Sequence, residues 1–154
     1  MNAIELLKQD HDKVDGLFQK VKAEQGDMRE LFEQIRIELE VHTQIEEQIF
    51  YPYLMENGDE ELQKITKEGI EEHHQAKILL REIENLTDES EKLDPKLQVL
   101  MEDIEHHVQE EEGEMFPMVV EQFDGEALQE LGQELQEMKS ALMGDKKASG
   151  ASGK

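Results

Sequence analysis

Histidine and glutamate recur in this chain at a spacing that suits metal binding. His42 is followed by Glu46 at position +4 and by a proline at +10. His107 is followed by Glu111 and a second proline at the same offsets. Residues four apart lie one above the other on a helix, so each pattern directs an imidazole and a carboxylate to one face. The two patterns therefore predict two pairs of metal ligands.

Two more histidines lie on the apolar stripes of predicted helices. Apolar residues follow both His11 and His73 at offsets +3, +7 and +10, whereas charged residues follow His74 at those offsets. His107 matches its counterpart in the repeat, and the adjacent His106 does not. Adjacent helical residues point about 100° apart, so only one member of each doublet can face inward. We predict that His73 and His107 face the core, and that their neighbours are exposed or support them.

These residues form one predicted metal site inside the fold. Unpaired histidines and glutamates buried together would be strongly destabilising, and a cation that takes them as ligands removes that penalty. Two carboxylates are well placed to bridge two ions, which favours a dinuclear site. Nitrogen and oxygen ligands without sulfur suit iron, zinc, manganese or nickel, and a single zinc would leave some ligands unused. The predicted metal ligands are His11, His42, Glu46, His73, His107 and Glu111.

The elements that position these residues are predicted to be helices, because the chain is rich in Glu, Leu, Lys and Gln. Four long amphipathic segments joined by short turns predict an all-α fold, an up-down-up-down four-helix bundle over about residues 2–124. An additional C-terminal helix is predicted over about residues 126–143, so that the domain spans residues 1–143. Residues 87–92 are predicted to form a polar loop. Residues 144–154, rich in Gly, Ser, Ala and Lys, are predicted to be a disordered tail.

Two prolines occupy equivalent positions late in the second and fourth predicted helices, Pro52 and Pro117. A proline inside a helix lacks the backbone N–H and costs about 3 kcal/mol. Two interpretations follow from this pattern. Either both helices bend alike near one end of the bundle, or each proline helps to end its helix.

The overall composition excludes several classes of function. The 154 residues suit a single domain, and 39 acidic against 16 basic residues give a net charge of −23. Such a charge would repel nucleic acids and anionic membranes and attract cations. The chain has no cysteine, which excludes disulfides and Cys-based metal sites. No apolar run approaches the roughly 20 residues of a membrane span, and the acidic N-terminus is unlike a signal peptide, so we expect a cytoplasmic protein.

The two repeated patterns, which end in Tyr51-Pro52 and Phe116-Pro117, resemble those of the hemerythrin family. They are similar in particular to bacterial hemerythrin-like, or HHE cation-binding, domains, over about residues 4–123. The resemblance implies a non-haem di-iron centre in which two glutamates bridge the irons and two histidines hold each iron. By position, the bridges would be Glu46 and Glu111, and the histidine pairs would be His11 with His42 and His73 with His107.

The chain departs from oxygen-carrying hemerythrins at two ligand positions. Those proteins have a His-x-x-x-His pair on the third helix, whereas Lys77 lies four residues after His73 here. Their fourth helix uses His-x-x-x-x-Asp, whereas this chain offers Glu111 at +4 and Glu112 at +5, of which the internal repeat favours Glu111. The missing seventh ligand makes the two irons nearly equivalent and argues against reversible O2 storage. It also leaves room for peroxide, NO or iron-handling chemistry.

The leading functional prediction is a di-iron protein that binds or senses O2, peroxide or NO, as a monomer or a homodimer. Zinc and manganese are the alternative metals. One alternative function is an enzyme that removes peroxide or donates iron for cluster repair. A second is a metal-free helical protein that docks a partner. Tyr51 and Tyr53 could lie close enough to the site to be oxidised or to control access, although packing is their default role.

Overall fold

The computed structural model describes residues 1–86 and 93–152, with side chains described as far as Lys146. The predicted loop at 87–92 and the last two residues of the chain lie outside the described residues. The helices, in chain order, are α1 (Ala3–Lys22), α2 (Met28–Ile45), α3 (Tyr51–Asn57), α4 (Glu60–Glu84), α5 (Leu93–Glu110), α6 (Phe116–Gln122) and α7 (Gly125–Ser152). Two π-helical turns lie between them, Glu46–Phe50 and Glu111–Met115.

The helices combine into four bundle rods and one additional helix. The first π turn (Glu46–Phe50) joins α2 to α3 without a break, and the second (Glu111–Met115) joins α5 to α6 in the same way. These two composite rods, together with α1 and α4, form the predicted four-helix bundle. The C-terminal helix α7 packs against α1, α2 and the first π turn. The described residues contain no strand, so the predicted all-α fold is confirmed.

Side-chain caps define where the rods begin. The Asn2 side chain accepts a hydrogen bond from the Glu5 amide at 2.9 Å, and the Glu5 carboxylate accepts one from the Asn2 amide at 3.1 Å. This reciprocal pair is a capping box. Asp27 accepts from two amides in the first turn of α2, and Asp59 accepts from the Leu62 amide in the first turn of α4. These caps satisfy backbone N–H groups that have no partner within the helix.

Two apolar clusters fill the interior, and a layer of polar residues lies between them. The first cluster contains Leu7 and Phe116, and the second contains Val14 and Phe32. On α1, His11 lies between Leu7 of the first cluster and Val14 of the second. The predicted ligands on the other rods occupy the same level. The polar layer is therefore enclosed by apolar packing above and below, and its six predicted ligands are buried.

Neither Pro52 nor Pro117 ends its rod. Each occupies the second position of the short helix that follows a π turn. In the first rod, the Tyr51 amide bonds to the Glu46 carbonyl five residues back, and the second rod repeats this bond. The wider turn accommodates a residue that has no N–H to donate and a ring that would crowd an ordinary helical turn. The rods thus continue through both prolines.

The fifth helix was predicted to end at Met143, but it continues to Ser152. Lys146 donates to a Glu40 carboxylate oxygen at 2.9 Å, which ties this extension to α2. Lysine and alanine in the extension are good helix formers, and the segment has no proline. The Gly and Ser content used to predict disorder from residue 144 is therefore outweighed by helix continuity and by this ion pair.

A close backbone contact fixes where α7 crosses α1. A Cβ atom on Gly132 would lie 2.5 Å from the Met1 carbonyl oxygen and 2.8 Å from the Ala3 amide nitrogen. Glycine lacks this atom, so the two backbones can approach each other directly. Gly132 therefore sets the position of α7 against the start of α1. Within the described residues, no helix is both long enough and apolar enough to cross a membrane.

Candidate metal centre

The six predicted ligands come together in two groups of four. The potential ligand atoms within each group all lie within 4.8 Å of one another, and every residue in both groups is buried. Both glutamates belong to both groups. One group is His11, His42, Glu46 and Glu111, and the other is Glu46, His73, His107 and Glu111. This arrangement offers two neighbouring cation positions that share two carboxylates.

Each glutamate lies between a histidine of one group and a histidine of the other. Glu46 Oε1 is 3.3 Å from His42 Nε2 and 3.0 Å from His73 Nε2. Glu111 makes the same pair of approaches, 3.1 and 3.4 Å, to the Nε2 atoms of the remaining two histidines. All four imidazoles therefore direct Nε2 inward. Such carboxylates can share their oxygens between two ions.

Some buried polar atoms in the site have no hydrogen-bond partner. Among the described residues these are His42 Nε2, Glu46 Oε2 and His73 Nδ1. An unsatisfied buried polar atom costs about 1–3 kcal/mol. The first two atoms point into the cluster, where a cation would use their lone pairs. The donor set and its unsatisfied atoms therefore fit a bound metal ion.

Three of the four imidazoles donate from their outer nitrogen to a further carboxylate. A carboxylate can only accept, so this contact places a proton on Nδ1, and a metal ion would bind the lone pair of Nε2. Each of these carboxylates is the sequence neighbour of a predicted ligand. The distances from Nδ1 are 2.9 Å for His42 and Asp10, 2.6 Å for His107 and Glu72, and 2.6 Å for His11 and Glu112.

The fourth imidazole lacks such a bond. His73 Nδ1 is 4.0 Å from the nearest Glu47 oxygen, and that same oxygen lies 2.6 Å from Lys77 Nζ. Lys77 therefore does not reach the ligand cluster but holds the carboxylate that faces His73. Glu112, the alternative ligand at +5, contacts an outer histidine nitrogen and lies outside both groups of four.

The other members of the histidine doublets lie on the surface. His74 and His106 are exposed, and neither belongs to the two buried groups. His106 Nε2 pairs with Glu110 at 2.9 Å on the outside of α5. The structure thus separates each doublet as the helical register predicts.

Tyr51 lies within the second group of ligands. Its hydroxyl donates to Glu111 and is 3.3 Å from a Glu46 oxygen. The hydroxyl oxygen of Tyr51 is also 3.3 Å from His73 Nε2 and 3.3 Å from His107 Nε2. A cation in this group would therefore lie beside a phenol oxygen. Sequence reasoning gave packing as the default role of Tyr51, and this position corrects that interpretation.

The first half of the site has no corresponding hydroxyl. Phe116 occupies the position that matches Tyr51 in the repeat, and its ring stacks parallel to His11 with centroids 5.9 Å apart. Tyr53 packs edge-on against Phe123, with centroids 5.1 Å apart, as ordinary packing predicts. One difference between the two halves is therefore this phenol oxygen.

When no metal is bound, the histidines and carboxylates of the cluster strongly shift one another's pKa values. Burial lowers the pKa of His42, but Glu46 and Asp10 outweigh burial and raise it well above its ordinary value. Burial likewise opposes the effect of Glu111 and Glu72 on His107, whose pKa is raised to about 10. Burial favours the neutral form of Glu111, yet His107 holds its pKa well below the usual range. A metal ion must therefore displace protons from these imidazoles.

Burial and the neighbouring carboxylates also act on the phenol and on the outer carboxylate. Burial raises the pKa of Tyr51, and the charges of Glu111 and Glu46 raise it further. Asp10 behaves oppositely, because hydrogen bonds and charge from His42 and Lys139 outweigh burial and lower its pKa.

A small, largely enclosed cavity borders the four imidazoles. Its volume is about 20 Å³, and its exposed lining is apolar. A cavity of roughly 10–15 Å³ already holds one water-sized molecule. The residues around it are Asp10, His11, Val14, Leu39, His42, Thr43, His73, Ile104, His107 and Val108.

Fold and site together define a helical-bundle protein with a buried histidine and glutamate cluster able to hold metal. Residues 2–119 match the hemerythrin HHE cation binding domain, which is most of the chain. The chain belongs to the hemerythrin HHE cation-binding domain family. The resemblance inferred from the two repeated patterns is thereby confirmed.

Two similar proteins extend this comparison. The crystal structure of a hemerythrin HHE cation binding domain-containing protein from Mycobacterium kansasii matches with a TM-score of 0.78 and 25% identity, covering 94% of this chain and 89% of that chain. A DNA nickase from Nostoc sp. (strain PCC 7120 / SAG 25.82 / UTEX 2576) is 25% identical over 147 residues, covering 92% of this chain. This chain spans only 40% of the length of that nickase.

Proposed function

We propose that this protein binds two irons and that the iron pair binds or senses O2, peroxide or NO. The observation that carries the proposal is the pair of four-residue groups sharing Glu46 and Glu111. His11 and His42 would hold one iron, and the two remaining histidines would hold the other. Bound iron would supply redox chemistry and coordination positions for a small ligand.

The donor count favours iron over the alternative metals. Each position offers two imidazoles and two shared carboxylates. Zinc is satisfied by about four such donors, so the site would be closed to a further ligand. Manganese prefers oxygen donors, whereas half of these are imidazoles. Iron accepts mixed nitrogen and oxygen ligands and takes more than four, which leaves room for a small molecule.

The cavity beside the histidines supports a small ligand. Its volume of about 20 Å³ suits a molecule of one to three atoms. Val14, Leu39 and Ile104 line it, so it favours an apolar gas over a charged ligand. O2 and NO meet both conditions, whereas neutral hydrogen peroxide, which has two heavy atoms but is polar, meets only the size condition.

The activity of the Nostoc relative is not part of this proposal. The chain matches 40% of that protein, so the nickase activity could reside in the remainder. A net charge of −23 also disfavours contact with DNA phosphates. We propose that the chain acts on a small ligand, without nucleic acid.

Anaerobic loading with ferrous iron tests the proposal. We expect about two irons per chain and a new near-ultraviolet absorption on exposure to O2 or NO. Glu46→Gln should reduce the bound iron, because a neutral amide bridges ions poorly. His74→Ala, which changes an exposed histidine outside both groups, should leave it unchanged. Absence of bound iron, or an absorption spectrum that does not change on exposure to either gas, would contradict the proposal.

A further inference from the structure

The fifth helix contributes a lysine to the surroundings of the metal site. The face of α7 that packs on the bundle is apolar, with Leu131 and Leu135 buried. Lys139 lies one helical turn after Leu135, and its side chain is only 22% exposed. A mostly buried ammonium is destabilising unless it is paired. The partner of the Lys139 ammonium therefore shows which part of the bundle this lysine stabilises.

That partner connects α7 to a predicted ligand. The Lys139 ammonium donates to Asp10 Oδ1, and Asp10 itself is 4% exposed. The second oxygen, Oδ2, accepts from His42 Nδ1 at 2.9 Å. An ammonium, a carboxylate and an imidazole thus form one continuous chain from α7 to the cluster.

In the other half of the site, the carboxylate that supports a histidine is partly exposed to water. Glu72 accepts from His107 Nδ1 at 2.6 Å, as Asp10 does from His42. The Glu72 side chain is 31% exposed, so water can solvate its charge. The described residues that act on Glu72 are histidines and Glu110. Of these two carboxylates, Asp10 is the one that pairs with an ammonium from outside the four rods.

We propose that Lys139 is a positioning residue for the metal position formed by His11 and His42. By holding Asp10, it keeps His42 Nδ1–H directed outward and the Nε2 lone pair directed at the metal. Without the ammonium, Asp10 would be a buried anion with one partner and would be drawn toward water, releasing the imidazole. Docking of α7 is thereby coupled to metal binding. The inference rests on the proposed function only in that the site binds two metal ions.

Metal titration of Lys139→Met tests this role. Titration with Co²⁺, followed by its visible absorption, should show one of two ions bound about 10- to 100-fold more weakly, the usual effect of losing a group that supports a ligand. The other ion should bind as in the wild-type protein. Lys139→Arg, which keeps the cation, should restore most of the affinity.

The matched control is Lys146→Met, which removes another α7 ion pair, with Glu40, away from the ligands. It should leave both affinities unchanged. In the zinc-loaded protein, Lys139→Met should also speed solvent exchange of the His42 Nδ1 proton, measured by NMR, a change that general loss of packing at α7 would not confine to His42. If the Met variant does not fold by circular dichroism, Lys139→Gln is measured in the same way, with the same expected direction.

The outcomes separate this inference from the proposed function. Equal binding of two ions by the wild-type protein and the folded Lys139 variant overturns the positioning role and leaves the metal site intact. An equal loss in the Lys146 variant also overturns it. Failure of the wild-type protein to bind Co²⁺, Zn²⁺ or iron overturns the metal site itself, and the positioning role with it.

Discussion

At the scale of single residues, a phenol oxygen is present in one half of the site and absent from the other. Tyr51 and Phe116 occupy matching positions, and only Tyr51 places an oxygen among the ligands. Its hydroxyl donates to Glu111 and lies 3.3 Å from three further ligand atoms. The two metal positions are therefore chemically distinct despite the internal repeat.

Tyr51→Phe should destabilise the metal-free protein by about 1–2 kcal/mol, because it removes a buried hydrogen bond to the Glu111 carboxylate. The loss is measured as the free energy of unfolding in urea. Tyr53→Phe is the control, since Tyr53 packs against Phe123 away from the ligands, and it should change stability little. Equal effects of the two substitutions would show that the hydroxyl of Tyr51 has no special role.

The pKa of His107 predicts how the metal-free protein responds to pH. Its folded value of about 10 exceeds the ordinary 6.5, so the folded state binds this proton more tightly than the unfolded state. The contribution to stability is complete below pH 6.5 and is lost as pH rises through about 10. Urea unfolding at pH 6, 8 and 10 should therefore show decreasing stability, and His107→Gln should reduce that slope. Metal-loaded protein should lack it, because the ion replaces the proton.

At the scale of elements, two π turns and one additional helix shape the site. Glu46 and Tyr51 are five residues apart, which on an α-helix would place them about 140° apart. The π turn between them brings both side chains inward, where each is almost fully buried. The fifth helix covers this side of the bundle. Its backbone contact with the start of α1 requires a residue without a Cβ atom, which Gly132 provides.

Gly132→Ala should destabilise the protein by about 1–3 kcal/mol, because its Cβ would meet the backbone of Met1 and Ala3 at less than 3 Å. Gly16→Ala is the matched control, since nothing lies within 4 Å of its added Cβ on an exposed part of α1. It should stabilise the helix by up to about 1 kcal/mol. Thermal unfolding measures both, and similar shifts in the two variants would refute tight docking of α7.

These elements show what could and could not be predicted from the sequence. The bundle and the inward histidines follow from periodicity, since residues that repeat with the apolar stripe must share its face. The π turns leave no trace in that periodicity, so the sequence supported a position of Tyr51 near the site only as the alternative to ordinary packing. The outer carboxylates were missed as a set, although doublets such as Asp10-His11 and Glu111-Glu112 held the signal. Glutamate is too frequent here for such doublets to be distinctive.

At the scale of the whole molecule, a polar layer lies between two apolar clusters that are each built from several helices. Four rods cross this layer, and all six predicted ligands occur on them. The layer gains hydrogen bonds from protonated imidazoles when metal is absent, but some buried atoms still lack partners. Metal binding should therefore stabilise the entire bundle and not only its centre.

Metal loading should raise the midpoint of thermal unfolding, because the folded state binds ions through groups that the unfolded chain separates. Free metal at 100 times its dissociation constant contributes about 2.7 kcal/mol for each position. Calorimetry of protein treated with chelator and of protein reloaded with iron measures the difference. The double variant His11→Ala and His107→Ala, which removes one histidine from each group, should abolish the response. Equal midpoints with and without metal would contradict a buried site.

The cavity beside the histidines has a kinetic consequence. Its space of about 20 Å³ has little room beyond one small molecule, and most of its wall is buried. Val108 is the wall residue that is partly exposed, so we expect its rotation to open a route into the cavity. For the small ligand proposed above, arrival would then be timed by side-chain motion and not by diffusion in solution. If the site holds iron as proposed, a reductant larger than the cavity would not touch the metal, and electrons would have to cross the surrounding helices to reach it.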